Sequence, residues 1–240
     1  MIHDPTRHHQ FVMLFEIKNA SPASLSSLPD PLSLAQDVRY GLVMEEALRQ
    51  ALNLYLQQKL ALPILKNRSP LVLDFSPESK NALCKQYYNL RMFGVTDSAG
   101  RTLIPGPVRL SLARSIDPIF PLSSGRNTAY GLYRMHGYYH PNAGKENGVN
   151  ASDLESLWQG LSNLFTSGTT SWPVASAMRG LWIFTHETSP AEPLRSRELF
   201  NLVQTPALRG QAGKFEDYTI HYPPPGHLEA VPGVCLTYLA

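Results

Sequence analysis

Apolar positions first gather at residues 11–17 (FVMLFEI), a short run with polar flanks. Such a run reads as a buried strand. Residues 19–36 break the pattern with Ser, Leu and Pro, including Pro22, Pro29, Asp30 and Pro31. A loop of that length is expected to be functional or mobile. From about residue 42 to residue 60 the period changes: Val43, Ala47, Leu48, Ala51, Leu52, Tyr55 and Leu56 recur at helical spacing, and Pro63 ends the pattern. Residues 79–88 predict a second helix with Leu83 and Tyr87 facing inward.

Strand-like pieces follow at residues 108–115, 130–139 and 180–186. In the first, Val108, Leu110 and Leu112 are expected on one face and Arg109, Ser111 and Ala113 on the other. Between the second and third lies a helix, with Ser152 as N-cap, Glu155 completing a capping box, and Leu154, Leu157, Trp158, Leu161 and Phe165 inward. Residues 197–204 predict a short helix. Residues 217–222 and 234–239 predict final strands, separated by a turn at Pro223-Pro224-Pro225-Gly226. Trp158 and Trp182 are expected in the core, and Trp172 falls in a loop. The order gives an α+β fold with helices on one side of a largely antiparallel sheet. Without an internal repeat or a clear linker, residues 1–240 read as a single domain.

Composition adds little until charge is mapped along the chain. The 240 residues are 43% hydrophobic with a net charge of +2, ordinary for a soluble globular protein. No apolar run approaches the ~18 residues of a membrane span. The polar first ten residues do not read as a secretory signal. Cys84 and Cys235 stand apart, so a cytoplasmic protein with reduced thiols is expected. Between residues 85 and 136, however, lie Lys85, Arg91, Arg101, Arg109, Arg114, Arg126 and Arg134 against only Asp97 and Asp117, a local charge of +5. Arginine forks onto phosphate and stacks on bases. The same run also reads as a solvated basic face.

Catalytic signatures are missing. There is no phosphate-binding G-x-x-x-x-G-K-[ST], no dinucleotide fingerprint, no nucleophile elbow and no H-E-x-x-H. His136 and His140 could share a strand face as half of a metal site, but no third ligand is apparent, so no metal and no cofactor are expected. His8 and His9 read as solvated. Asp117, before Pro118, reads as the end of a strand and not as a catalytic acid.

Several stretches, in order, resemble one family. They are residues 11–19, Tyr40-Gly41-Leu42-Val43, Asn89 to Gly94, Gly106 to Ile119, Tyr130 to Gly137, Met178 to Glu187, Phe215 to Tyr218 and Val231 to Val234. Together they resemble the backbone subunit of type I-C CRISPR surveillance complexes (Cascade), a member of the RAMP superfamily that coats guide RNA in several copies. The resemblance implies a modified RRM-like (ferredoxin-like) palm with finger and thumb insertions. It implies a non-catalytic role in a ribonucleoprotein filament of antiviral defence. The implied partners are the guide RNA (crRNA), neighbouring copies of the chain, other subunits of the complex, and target DNA through the guide. No membrane is implied. The implied RNA-binding residues are Lys18, Asn19, Arg91, Phe93, Gly94, Gly106, Arg109, Arg114, Ser115, Arg126, Arg134, His136 and Tyr138.

Physical reasoning agrees with such a surface, because a holder of arbitrary guide sequence must use phosphate contacts and stacking. Two departures stand out. The family's Asn-Pro-Asn-Gly-Asp-Pro-type loop is here Asn19-Ala20-Ser21-Pro22-Ala23-Ser24. The thumb connection is reduced to residues 121–129, where Arg126 becomes the obvious replacement contact. Two other readings remain open: an RRM-like endoribonuclease processing precursor guide RNA through His136, Tyr138 and Arg134, and a structural subunit that has lost RNA binding.

Overall fold

The structure, a computed structural model, describes residues 1–18, 40–66, 76–96, 99–119, 130–165, 176–187, 196–208 and 212–239. The 19–36 loop, Asn19, the 121–129 connection with Arg126, and Trp172 lie outside the described residues.

One antiparallel sheet organises the chain. Its strands are β1 (His9–Lys18), β2 (Tyr40–Val43), β5 (Val108–Leu110), β6 (Ala113–Pro118), β7 (Tyr130–Tyr139), β8 (Ser176–His186), β9 (Gly226–His227) and β10 (Val234–Leu239). Their spatial order is β2-β6-β7-β1-β8-β10-β9, with β5 also on β7. A separate ribbon pairs β3 (Gly94–Thr96) with β4 (Thr102–Pro105). The helices are α1 (Glu45–Lys59), α2 (Pro77–Gln86), α3 (Tyr88–Phe93), α4 (Pro141–Asn147), α5 (Ala151–Ser162) and α6 (Ser196–Asn201). This is the expected α+β architecture.

β1 is central and buried along both faces, which explains its near-continuous apolar run. Phe11, Met13 and Phe15 enter a core with Leu48, Leu52 and Leu56 of α1 and Leu154, Leu157, Trp158 and Leu161 of α5. On the opposite face, Val12 and Leu14 meet Trp182, Phe184, Leu199 of α6, and Tyr218, Leu228 and Val231 from the C-terminal segment. The larger helices therefore share one face, while α6 and the C-terminal chain cover part of the other.

Several local expectations change. Residues 40–43 form β2, and the helix begins only after Met44. The second helix breaks at Tyr87, which has extended backbone, and Cys84 and Tyr88 are buried where Leu83 and Tyr87 were expected. α5 starts two residues earlier than its Ser152 signal, because Asn150 and Asp153 make the capping box. Residues 217–222 do not join the sheet. A 3-10 turn at Phe215–Asp217 and a lone bridge from Gln204 to His221 carry them across the second core.

Between β5 and β6 the strand carries an extra residue. Leu110 pairs with Gly137 and Arg114 with Arg134, so four steps on one strand match three on the other. That is a β-bulge. Ser111 completes the ladder: its N–H donates to the His136 carbonyl, and its hydroxyl accepts from the His136 N–H. Beyond the bulge the alternation reverses. Leu112 is 46% exposed and Ala113 is buried, opposite to the expected pattern.

Gly94 and Gly106 make the tightest backbone approach. Gly94 has φ +68°, and a Cβ on Gly106 would lie 2.1 Å from the Phe93 carbonyl carbon. Gly106→Ala should therefore lower stability by about 1–3 kcal/mol through overpacking against main chain. A urea midpoint equal to that of the wild type would contradict this.

Candidate nucleic-acid interface

The second face of the sheet is covered in its middle but open along its β5–β6–β2 margin. There a shallow groove is lined by Tyr40, Ser111, Leu112, Arg114, Ser115, Ile116, Arg134, His136, Thr205 and Ala207. Arg109 faces Tyr138 across the β5–β7 pair, and Arg114 faces Arg134 across the β6–β7 pair. Residues 109 and 114 are an odd number apart and would lie on opposite faces of a regular strand. The bulge brings both to the open face.

The expected site residues divide by what their side chains already touch. Lys18, Arg109, Arg114 and Tyr138 are exposed. Among the described residues, neither Arg109 nor Arg114 has a carboxylate partner. The Arg114 guanidinium lies 3.7 Å from the centre of the Tyr40 ring, a cation–π stack that holds it across the margin. Tyr40 was not in the expected set, because its position beneath Arg114 depends on a long-range strand pairing.

The remaining described members of the expected set make contacts within the fold. Arg91 is the clearest case. Its side chain is 13% exposed and forks onto Asp153, with Nε to Oδ2 at 2.9 Å and Nη2 to Oδ1 at 2.6 Å. A third nitrogen donates to the Cys84 carbonyl. Its donors are already engaged, so it offers little to a ligand. Phe93 is buried in the first core, and Gly94 and Gly106 serve the close approach described above. Ser115 is buried, accepting from the Gly41 N–H at 2.9 Å and donating to the Asp117 carbonyl at 2.7 Å.

Arg134 also looks inward. It donates to the carbonyls of Phe200 and Val203, to the Thr205 hydroxyl, and to His136 Nε2. His136 stacks on Phe200, with ring centres 4.4 Å apart. Burial, followed by the charge of Arg134, pushes its pKa down to about 4. Arg134 and His136 therefore brace α6 against the sheet. Asp117 is likewise structural: it accepts from the Tyr218 hydroxyl at 2.6 Å and from the Leu208 N–H at 3.0 Å.

Two further groups fell outside the expected set. Glu16 is buried on the same face and accepts from the Tyr130 hydroxyl at 2.9 Å and from Arg179 at 2.7 Å. Burial and that hydrogen bond raise the Tyr130 pKa far above its usual value. His8 and His9 are not solvated as expected. His9 is fully buried between Thr185 Oγ1 and the Asp4 carbonyl. His8 packs edge-on against His140 and His186.

Comparison with known proteins gives two findings. A family model described as CRISPR-associated protein Cas7 matches residues 126–223, less than half of the chain. That span contains the stretches at 130–137, 178–187 and 215–218, whereas the 106–119 stretch precedes it. No curated protein matches the sequence. Among solved structures, a chain from a "CRISPR RNA-guided surveillance complex, pre-nicking" superposes with a TM-score of 0.53 at 10% identity, covering 88% of this chain and 85% of that one. A chain from a "CRISPR RNA-guided surveillance complex" gives a TM-score of 0.50 at 10% identity, covering 88% and 83%. At such identity the likeness establishes a shared fold. No described helix is long and apolar enough to cross a membrane.

Proposed function

We propose that this chain is an RNA-holding backbone subunit of a CRISPR surveillance complex, of the Cas7 family and close to the type I-C form. In this reading it acts in the cytoplasm as a single RRM-like palm domain without catalysis. It binds guide RNA beside further copies of itself and other subunits, and presents the guide to target DNA. The family match over 126–223, the shared fold and the ordered sequence resemblance all support this. The observation that carries it is the open margin, where Arg109 and Arg114 share one face, without carboxylate partners among the described residues, beside Tyr138 and Tyr40.

Such a margin suits a polyanion of arbitrary sequence, since cations meet phosphates and rings stack on any base. The endoribonuclease reading finds less support, because His136 is stacked on Phe200 and Arg134 already donates to four groups. The expected contacts at Asn19 and Arg126 belong to the same proposal, and Lys18 extends the basic surface at the far end of β1.

The test is binding of unrelated single-stranded RNA sequences by the full chain across a salt series. The double variant Arg109→Ala/Arg114→Ala should weaken binding at least about tenfold for every sequence. Its logarithmic salt slope should fall by about 1.4, since each lost phosphate contact removes about 0.7. Unchanged affinity in the double variant would refute this margin as the RNA site. A wild-type protein that carries no nucleic acid when assembled and binds none would favour the structural subunit instead.

A further inference from the structure

At the β5 end of the margin three histidines meet from separate parts of the chain. His8 precedes β1, His140 follows β7 and His186 ends β8. The His8 ring centre lies 5.5 Å from that of His140 and 6.4 Å from that of His186. The cluster is continuous with the open margin, because Tyr138, paired with Arg109, packs 4.9 Å from His140. Gln10 is fully buried beneath it, with Nε2 3.4 Å from His186 Nε2.

Two buried polar atoms in this cluster, His8 Nδ1 and Gln10 Oε1, have no hydrogen-bond partner. Buried polar groups are ordinarily paired, so the arrangement is incomplete as it stands. The rings meet edge to face, at 89° and 80°, and among the described residues no group of three side chains has metal-holding geometry.

The charges around the cluster favour an anion. β5 contributes Arg109, whose charge acts on His140. From the N-terminal segment, Asp4 and Arg7 pair with each other at 2.9 Å. After β8, Glu187 is held by His227 at 2.9 Å. β7 contributes His136, which is engaged by Arg134, and Tyr138. Among the described residues, no carboxylate acts on the three imidazoles. Burial, then the neighbouring histidines, lowers the His8 pKa to about 4. Burial also lowers those of His140 and His186. The cluster is thus neutral near pH 7 and resists protonation.

We propose that His8, His140 and His186 form a proton-linked phosphate site that extends the RNA margin, taking a backbone phosphodiester together with a proton. This rests on the RNA-binding reading above. A phosphate beside the rings supplies the negative charge that the site lacks, so an imidazole gains a proton as the RNA seats and becomes a charge-assisted donor to it. By linkage, RNA binding strengthens as pH falls.

The full chain would be titrated with a short labelled uridine oligomer at constant ionic strength, between about pH 7.5 and about pH 6, with near-ultraviolet circular dichroism confirming the fold at each point. One linked proton should tighten wild-type binding by up to about tenfold per pH unit. His8→Gln and His140→Gln should each lose most of that slope, whatever their affinity near pH 7.5. Calorimetry of the wild type in two buffers of different ionisation enthalpy should show proton uptake, a readout that needs no variant. A slope unchanged in both variants, or no proton uptake, overturns the inference while leaving RNA binding itself intact. Absence of RNA binding at any pH overturns both. Inorganic phosphate alone distinguishes a free-anion site: histidine ring signals that shift with phosphate but not with RNA would rule out the phosphodiester.

Discussion

Arg91→Ala is expected to destabilise the fold by about 3–5 kcal/mol, because it leaves the Asp153 carboxylate buried without its counter-charge. Asp153 joins α5 to α3. Its carboxylate caps α5 through the Asn150 N–H at 3.0 Å and receives the fork of Arg91 from α3. Its carbonyl accepts the Tyr88 hydroxyl at 3.0 Å. Arg91→Lys keeps the charge but loses the two-pronged geometry, and should fall between wild type and alanine. Arg114→Ala, which loses only an exposed stack on Tyr40, should change stability by less than about 1 kcal/mol. Chemical denaturation of the three variants checks the order. An Arg91→Ala protein as stable as Arg114→Ala would show that the buried fork is not holding α3 to α5.

Acid should weaken the fold before its carboxylates titrate. Burial lowers the pKa values of His8, His9 and His136 to about 4, and those of His140 and His186 also fall. In the unfolded chain these groups return to the usual value near 6.5. Above about pH 6.5 both states are neutral and stability is flat. Between about 6.5 and 4 the unfolded chain binds more protons, so stability falls as pH falls. His9 is fully buried and alone accounts for about 3 kcal/mol across that window. The more exposed rings add less, since water screens them. Urea midpoints should drop steeply from about pH 7 to about pH 4.5, and His9→Gln should flatten the profile while starting lower. Equal wild-type midpoints at both ends would sink this account.

Strongly periodic segments were legible in the sequence. The inward residues of α1 from Leu48 to Leu56, the strand at 130–139 and the last strand at 234–239 stand where their patterns place them, because each pattern is local and repeats several times. Signals decided by distant partners were not legible. Asn150-to-Asp153 and Ser152-to-Glu155 both have capping-box spacing, and the choice falls to the first because Arg91, far along the chain, holds Asp153. Residues 217–222 alternate like a strand, yet Tyr218 is drawn into the core beneath the second face. The same limit applied to the site. Arginine content marked the region that carries the open margin, but only tertiary pairing separates Arg109 and Arg114, which face out, from Arg91 and Arg134, which face in.

The bulge at Ser111–Leu112 makes backbone conformation, more than residue identity, the sensitive property of this margin. Leu112 points to solvent and Ser111 contributes chiefly one hydroxyl, so single replacements there should be mild. Removing one of the two residues would leave Arg109 and Arg114 four positions apart, and a regular strand would then carry both on the open face without a bulge. Straightening the strand at its present length would instead turn the two arginines to opposite faces. Relatives that keep both arginines on this edge should therefore either retain both residues and the bulge, or lack one residue and the bulge together.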